Sequence, residues 1–196
     1  MSRHEGVAPP PSAGAALPST ARFVARRRVE FRDTDAAGIA HFSAFFVWME
    51  SAEHELLRSA GVPLVEQLQP VPQPDASLVA GGAWPETLSW PRVNAACDYK
   101  SAIRFNDELD IFVDIEAIGR SSVTWGFRFE HAGRWVAQGR VVSVRCRLRH
   151  GMPPVAVPIS EEIQARLAPF HTPRLPPAAE RGPIARSSSR ADSPGK

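Results

Sequence analysis

Cysteine is scarce in this sequence and tyrosine nearly absent: there are two cysteines and one tyrosine. Cys97 and Cys146 fall in separate strand-like runs without the close pairing of a zinc site, so they read as small core hydrophobes, and no disulfide is expected. The histidines, His4, His41, His54, His131, His150 and His171, form no HxxxH or HxH pair, so no metal is expected. Long apolar runs are missing too. Nothing approaches the roughly 18 residues of a membrane span, and the first residues carry prolines where a secretory leader would be apolar. A cytoplasmic protein with no membrane partner is the expectation. Net charge is also small, at +2. The segment 173–196 alone carries +3, from Arg174, Arg181, Arg186, Arg190 and Lys196 against Glu180 and Asp192, which leaves −1 for the remainder. A near-neutral body offers no electrostatic footprint for nucleic acid.

The chain has 196 residues, enough for one domain with a sizeable core. Residues 1–20 (VAPPPSAGAALPST after a polar start) read as a flexible arm, and 173–196, rich in Pro, Ser and Arg, as a disordered tail. The folded unit is expected over 21–172. Its first strand is FVARRRVEF, Phe23 to Phe31. Phe45, Trp48, Met49, Ala52, Leu56 and Ala60 then recur at helical spacing, which predicts an amphipathic helix over 43–60. Glu50, Glu53, His54 and Arg58 lie off that stripe. Ser43 is the candidate N-cap, and Gly61 with Pro63 supplies the stop. Over 67–91 proline rises and periodicity is lost, predicting a loop or insertion able to cover a neighbouring cleft.

Strand patterns follow. Leu109, Ile111, Val113, Ile115 and Ala117 alternate with Asp110, Phe112, Asp114 and Glu116, and Val123, Trp125, Phe127 and Phe129 with Thr124, Gly126, Arg128 and Glu130. In a further strand, Val142, Val144, Cys146 and Leu148 are read as the apolar face, against Ser143, Arg145, Arg147 and Arg149. A strand, a helix and a meander of about four antiparallel strands give a two-layer α+β unit. Such a small sheet leaves an edge open, so at least a homodimer is expected.

The segment DTDAAGIAHFSAFFVWME, Asp33 to Glu50, concentrates chemistry: two carboxylates, a permissive glycine, a histidine and a helix start. A helix N-terminus offers unpaired N–H groups to an oxygen that becomes negative in acyl transfer. Asp35 is close enough in sequence to face the same carbon, and Gly38 permits a sharp turn. Asp33 reads more readily as a turn cap.

This segment resembles the active-site signature of the 4-hydroxybenzoyl-CoA thioesterase branch of hotdog enzymes. Arg28, Val29, Thr34, Asp35, Gly38, Ile39, Phe42 and Phe45 match the pattern, and Ala40 stands where a valine is usual. Glu50 and Ala52 in WMESAEHE resemble the helix motif that follows, and DYKSAIRFNDELDI at 98–111 is similar to the second strand of that family. The likeness covers about 130 residues.

The resemblance implies a hotdog fold, an antiparallel sheet wrapped around one long central helix. It implies an acyl-CoA substrate, a homodimer or homotetramer and no cofactor. It makes Asp35 the catalytic carboxylate, as nucleophile or general base, and gives the Phe42 backbone N–H the thioester oxygen. Ile39 and Gly38 then belong to the substrate site. His41 either lines the cleft mouth or is packed, and Glu50 either orients the loop or a water, or is a solvated helix residue. Arg145, Arg147 and Arg149 either meet CoA phosphates or form a solvated face. Two other readings are a hotdog dehydratase using His41, and an acyl-CoA-binding module without turnover.

Overall fold

The alternating apolar residues of the C-terminal half build a sheet with one dry face. The computed structural model describes residues 23–68 and 86–172. Strands β1 (Phe23–Arg28), β4 (Arg92–Tyr99), β5 (Glu108–Ile118), β6 (Ser122–His131) and β7 (Arg134–Val144) form an antiparallel sheet in the order β1-β5-β6-β7-β4. Leu109, Ile111, Val113 and Ile115 on β5 and Val123, Trp125, Phe127 and Phe129 on β6 are buried, because side chains two apart share a face. The β6–β7 hairpin closes through Ala132 and Gly133, both at positive φ, the backbone that a two-residue primed turn requires.

The helical stripe lies on that dry face as α1, Ala44–Ser59, with Phe45, Trp48, Met49, Ala52 and Leu56 all buried. Gly139 of β7 admits the helix closely: a Cβ there would stand 2.1 Å from Met49 Sδ. Gly61, at φ +67°, ends α1. Its N–H bonds Arg58 O at 3.0 Å, and Val62 N–H bonds Leu57 O at 2.8 Å, which satisfies the last carbonyls. A second antiparallel sheet runs β2 (Glu66–Gln67), β3 (Thr87–Ser89), β8 (Cys146–Leu148) and β9 (Val155–Ala156). A short helix α2, Glu161–Leu167, is capped by Ser160 and buries Ile163 and Leu167. Among the described residues no helix is long and apolar enough to cross a membrane.

Four sequence expectations change. The meander is three strands, β5 to β7, while β4 returns to the far edge beside β7. The 67–91 stretch has strands at its margins, β2 and β3, and 69–85 lie outside the described residues, as do the 1–20 arm and the 173–196 tail. On β7 the inward residues are Val141 and Ser143 instead of Val142 and Val144, and Arg145 just beyond the strand is also buried. The reason is that Ser143 and Arg145 each have a polar partner. Ser143 accepts the Trp125 indole N–H at 2.6 Å, and Arg145 meets Glu66 at 2.9 Å. Glu53, placed off the helix stripe by sequence, is fully buried on it.

Candidate active site

The loop between β1 and α1 is held from both sides before it reaches the helix. Val29 N–H bonds Asp107 O at 2.9 Å, and a 3-10 turn follows at Phe31–Asp33. Asp33 closes that turn by accepting the Glu30 N–H at 2.9 Å, so it is a capping residue. Asp35 then organises a tight turn: its Oδ1 accepts Ala37 N–H at 2.8 Å, its N–H bonds Ile39 O, and its carbonyl accepts Gly38 N–H. Gly38 sits at φ +71°, where a side chain would be strained. Ala40 N–H bonds Ile103 O at 2.8 Å, and His41 N–H bonds Asp33 O at 2.7 Å, which fixes the approach to α1.

At the helix entry the backbone donors divide. Ala44 N–H bonds His41 O, Phe46 N–H bonds Ser43 O, and Ser43 N–H points to His41 Nδ1 at 3.3 Å. Among the described residues nothing accepts the Phe42 N–H, and nothing binds Asp35 Oδ2. Both residues line one cleft of about 370 Å³, together with Ile39, Phe45, Tyr99 and Ile103. Lys100 also borders it and stacks on the Trp135 ring, 4.6 Å from its centroid.

Of the residues singled out by sequence, Asp35, Phe42 and Ile39 thus share the cleft. Gly38 shapes the turn and is exposed. His41 stands beside the cleft with its Nδ1 2.7 Å from Ser43 Oγ and its ring 4.3 Å from that of Phe42. Glu50 lies apart, about 12 Å further along α1 by helical rise, and ion-pairs with Arg92 at 3.1 Å. Sequence reasoning missed Tyr99, which donates its hydroxyl proton to Phe42 O at 3.0 Å. Burial pushes its phenol up to about 12, so it remains a neutral donor. The signal available was its being the sole tyrosine, in a strand with no alternation to mark it.

A slightly larger hollow of about 420 Å³ lies on the outer face of the sheet, bordered by Asp114, Glu116, Arg128, Trp135 and Arg140. Its two arginines are already paired, Arg140 with Glu116 at 3.1 Å and Arg128 with Glu130 at 3.0 Å. The smaller cleft is the one that brings a carboxylate together with an unclaimed amide.

The molecule is thus an α+β unit: a sheet with a helix on its dry face and a carboxylate-bearing loop leading into that helix. The family model described as Thioesterase-like superfamily matches residues 29–167. The chain belongs to that superfamily, the hotdog thioesterases. A protein of Aquifex aeolicus (strain VF5) named as an esterase is 30% identical over 105 residues, which are 54% of this chain and 70% of that protein. A 1,4-dihydroxy-2-naphthoyl-CoA hydrolase of Prochlorococcus marinus (strain NATL2A) is 26% identical over 61% of this chain and 72% of its own length. Among solved structures, a gentisyl-coenzyme A thioesterase superposes with a TM-score of 0.55 at 26% identity, covering 74% of this chain and 98% of that one.

Proposed function

We propose that the protein hydrolyses an aromatic acyl-CoA thioester to the free acid and CoA in the cleft between Asp35 and Phe42. The observation that carries this reading is the pairing, in one cleft, of an uncommitted Phe42 N–H with a carboxylate whose Oδ2 is free. The carbonyl oxygen of the thioester takes the Phe42 N–H as negative charge develops on it. Asp35 drives attack on the carbonyl carbon, either through its own Oδ2 or by taking a proton from water, and CoA departs as thiolate. Ile39 and the rings of Phe42, Phe45 and Tyr99 suit a flat acyl group, in keeping with the naphthoyl-CoA and gentisyl-CoA relatives. On this reading α1 is the central helix about which the hotdog sheet wraps. His41, tied to Ser43, favours hydrolysis over a dehydratase step through that ring. No chemical step is assigned to Glu50, which holds Arg92. A CoA ester as substrate goes with a cytoplasmic location.

The test is a panel assayed with a thiol-reactive dye: 4-hydroxybenzoyl-CoA, 1,4-dihydroxy-2-naphthoyl-CoA, hexanoyl-CoA and palmitoyl-CoA. The aromatic thioesters are expected to exceed the straight chains in kcat/KM by about tenfold or more, a difference of about 1.4 kcal/mol in transition-state binding. Preference for a straight chain removes the aromatic assignment, and no turnover on any member removes the enzyme.

The sheet also supports a homo-oligomer. One edge, β1, is blunted by Arg26, Arg27 and Arg28, whereas β4 is exposed along most of its length and presents Val93 at 63% exposure, with Val47 of α1 equally exposed. Pairing of two copies across β4 is expected, so that sedimentation equilibrium gives at least twice the 21.4 kDa chain mass. A wild-type mass of one chain at micromolar concentration would remove this proposal.

A further inference from the structure

The carbonyl just ahead of α1 has its partner across the fold. Phe42 stands one residue before the Ser43 N-cap, so its carbonyl lies outside the helical ladder, and Phe46 N–H turns to Ser43 O at 3.1 Å. The group that reaches it comes from the opposite element, the Tyr99 hydroxyl at the end of β4, at 3.0 Å. The Tyr99 ring packs edge-on against Phe45, 5.1 Å between centroids, so the hydroxyl is aimed by packing.

We propose that Tyr99 is a positioning residue for thioester hydrolysis, its hydroxyl locking the Phe42 peptide so that the Phe42 N–H stays aimed into the Asp35 cleft. This rests on the thioesterase reading of that cleft. The geometry requires both flanking carbonyls to be held. The His41 carbonyl, in the same peptide plane as the Phe42 N–H, is fixed by Ala44 N–H at 3.0 Å, and the Phe42 carbonyl is fixed by Tyr99. Between two pinned planes the φ and ψ of Phe42 have little freedom, so its amide is pre-aimed at the oxyanion and does not have to be reoriented during reaction. Without the hydroxyl, only water satisfies the Phe42 carbonyl, and the amide samples other directions. The loss falls on the transition state, because the ground-state carbonyl oxygen carries little charge to hold.

Tyr99→Phe keeps the ring against Phe45 and removes only the hydroxyl. Measured on 4-hydroxybenzoyl-CoA, or on the best substrate of the panel above, it is expected to lower kcat about tenfold while KM changes less than about twofold. The melting temperature should stay within about 2 °C of wild type. A kcat equal to wild type overturns the proposal. So does a fall in kcat matched by a large drop in melting temperature, or a change confined to KM, either of which makes Tyr99 a packing or substrate-contact residue. Asp35→Asn, assayed alongside, separates the two levels of inference. If it is inactive and Tyr99→Phe is fully active, only the positioning role fails. If it turns over at the wild-type rate, the reading of the cleft fails and takes the role of Tyr99 with it.

Discussion

Asp35→Asn is expected to reduce turnover of an aromatic acyl-CoA about a thousandfold, within the range typical for loss of a positioned acid–base group. The substitution is nearly isosteric. Asn keeps an oxygen for the Ala37 N–H now held at 2.8 Å by Oδ1, so the turn through Gly38 should survive. What disappears is the carboxylate's charge at the cleft. A neutral amide neither attacks a thioester carbon nor takes a proton from water, whichever route the enzyme uses. Because the Phe42 N–H and the apolar lining are untouched, the substrate should still bind, and the deficit should appear in kcat with KM little changed. Single-turnover kinetics on the purified variant, with circular dichroism to show the fold intact, gives the answer. Turnover within about threefold of wild type would remove Asp35 from the chemistry.

Much of this arrangement was legible before the structure, and the reasons differ by element. Every second residue of β5 and β6, Leu109 to Ile115 and Val123 to Phe129, is apolar and buried, so the period identifies them even with Phe112 on the other face. The α1 stripe was equally plain, because Phe45, Trp48, Met49, Ala52 and Leu56 are apolar and recur at helical spacing. The loop residues Asp35 and Gly38 stood out because a carboxylate, a positive-φ glycine and a helix start within a few residues have a shared chemical use. Strand β4 was legible only as a strand-like run around Cys97, with no face to it. Its sequence RVNAACDY has no alternation, since it is an edge strand and bulges between Arg92 and Asn94. Tyr99 was lost with it, as a residue is assigned no partner until its strand is known. The inward face of β7 was misread for another reason. Ser143 and Arg145 are polar, and a rule that sends polar residues outward fails where each finds a polar partner, here the Trp125 indole and the Glu66 carboxylate.

Glu53 failed the same rule, and its burial leads to the second large effect, on stability. It is fully buried on α1, with Arg92 at 3.2 Å and the Ser143 hydroxyl at 3.4 Å as its polar neighbours. Burial pushes its carboxyl up to about 7 from an ordinary 4.5, and the Arg92 guanidinium opposes the shift without cancelling it. The direction determines the pH dependence. A carboxyl whose proton is held more tightly folded than unfolded adds nothing unfavourable below pH 4.5, where both states are protonated. Its ionisation then destabilises the fold progressively as pH rises to 7, and above that the penalty is complete, on the order of 3 kcal/mol. His54, whose Nε2 lies 2.8 Å from Arg92, tilts the opposite way. Burial and the Arg92 charge lower its pKa, so its contribution is lost as pH falls. Glu53→Gln isolates the carboxyl, because His54 remains in both proteins and Arg92 keeps Glu50 at 3.1 Å. Urea unfolding at pH 5, 6, 7 and 8 should show the wild type losing stability relative to Glu53→Gln, with the gap widening by about 2–3 kcal/mol across that range. Parallel pH profiles for the two proteins would mean that Glu53 titrates alike in the folded and unfolded chain, and that Arg92 fully compensates the burial of its charge.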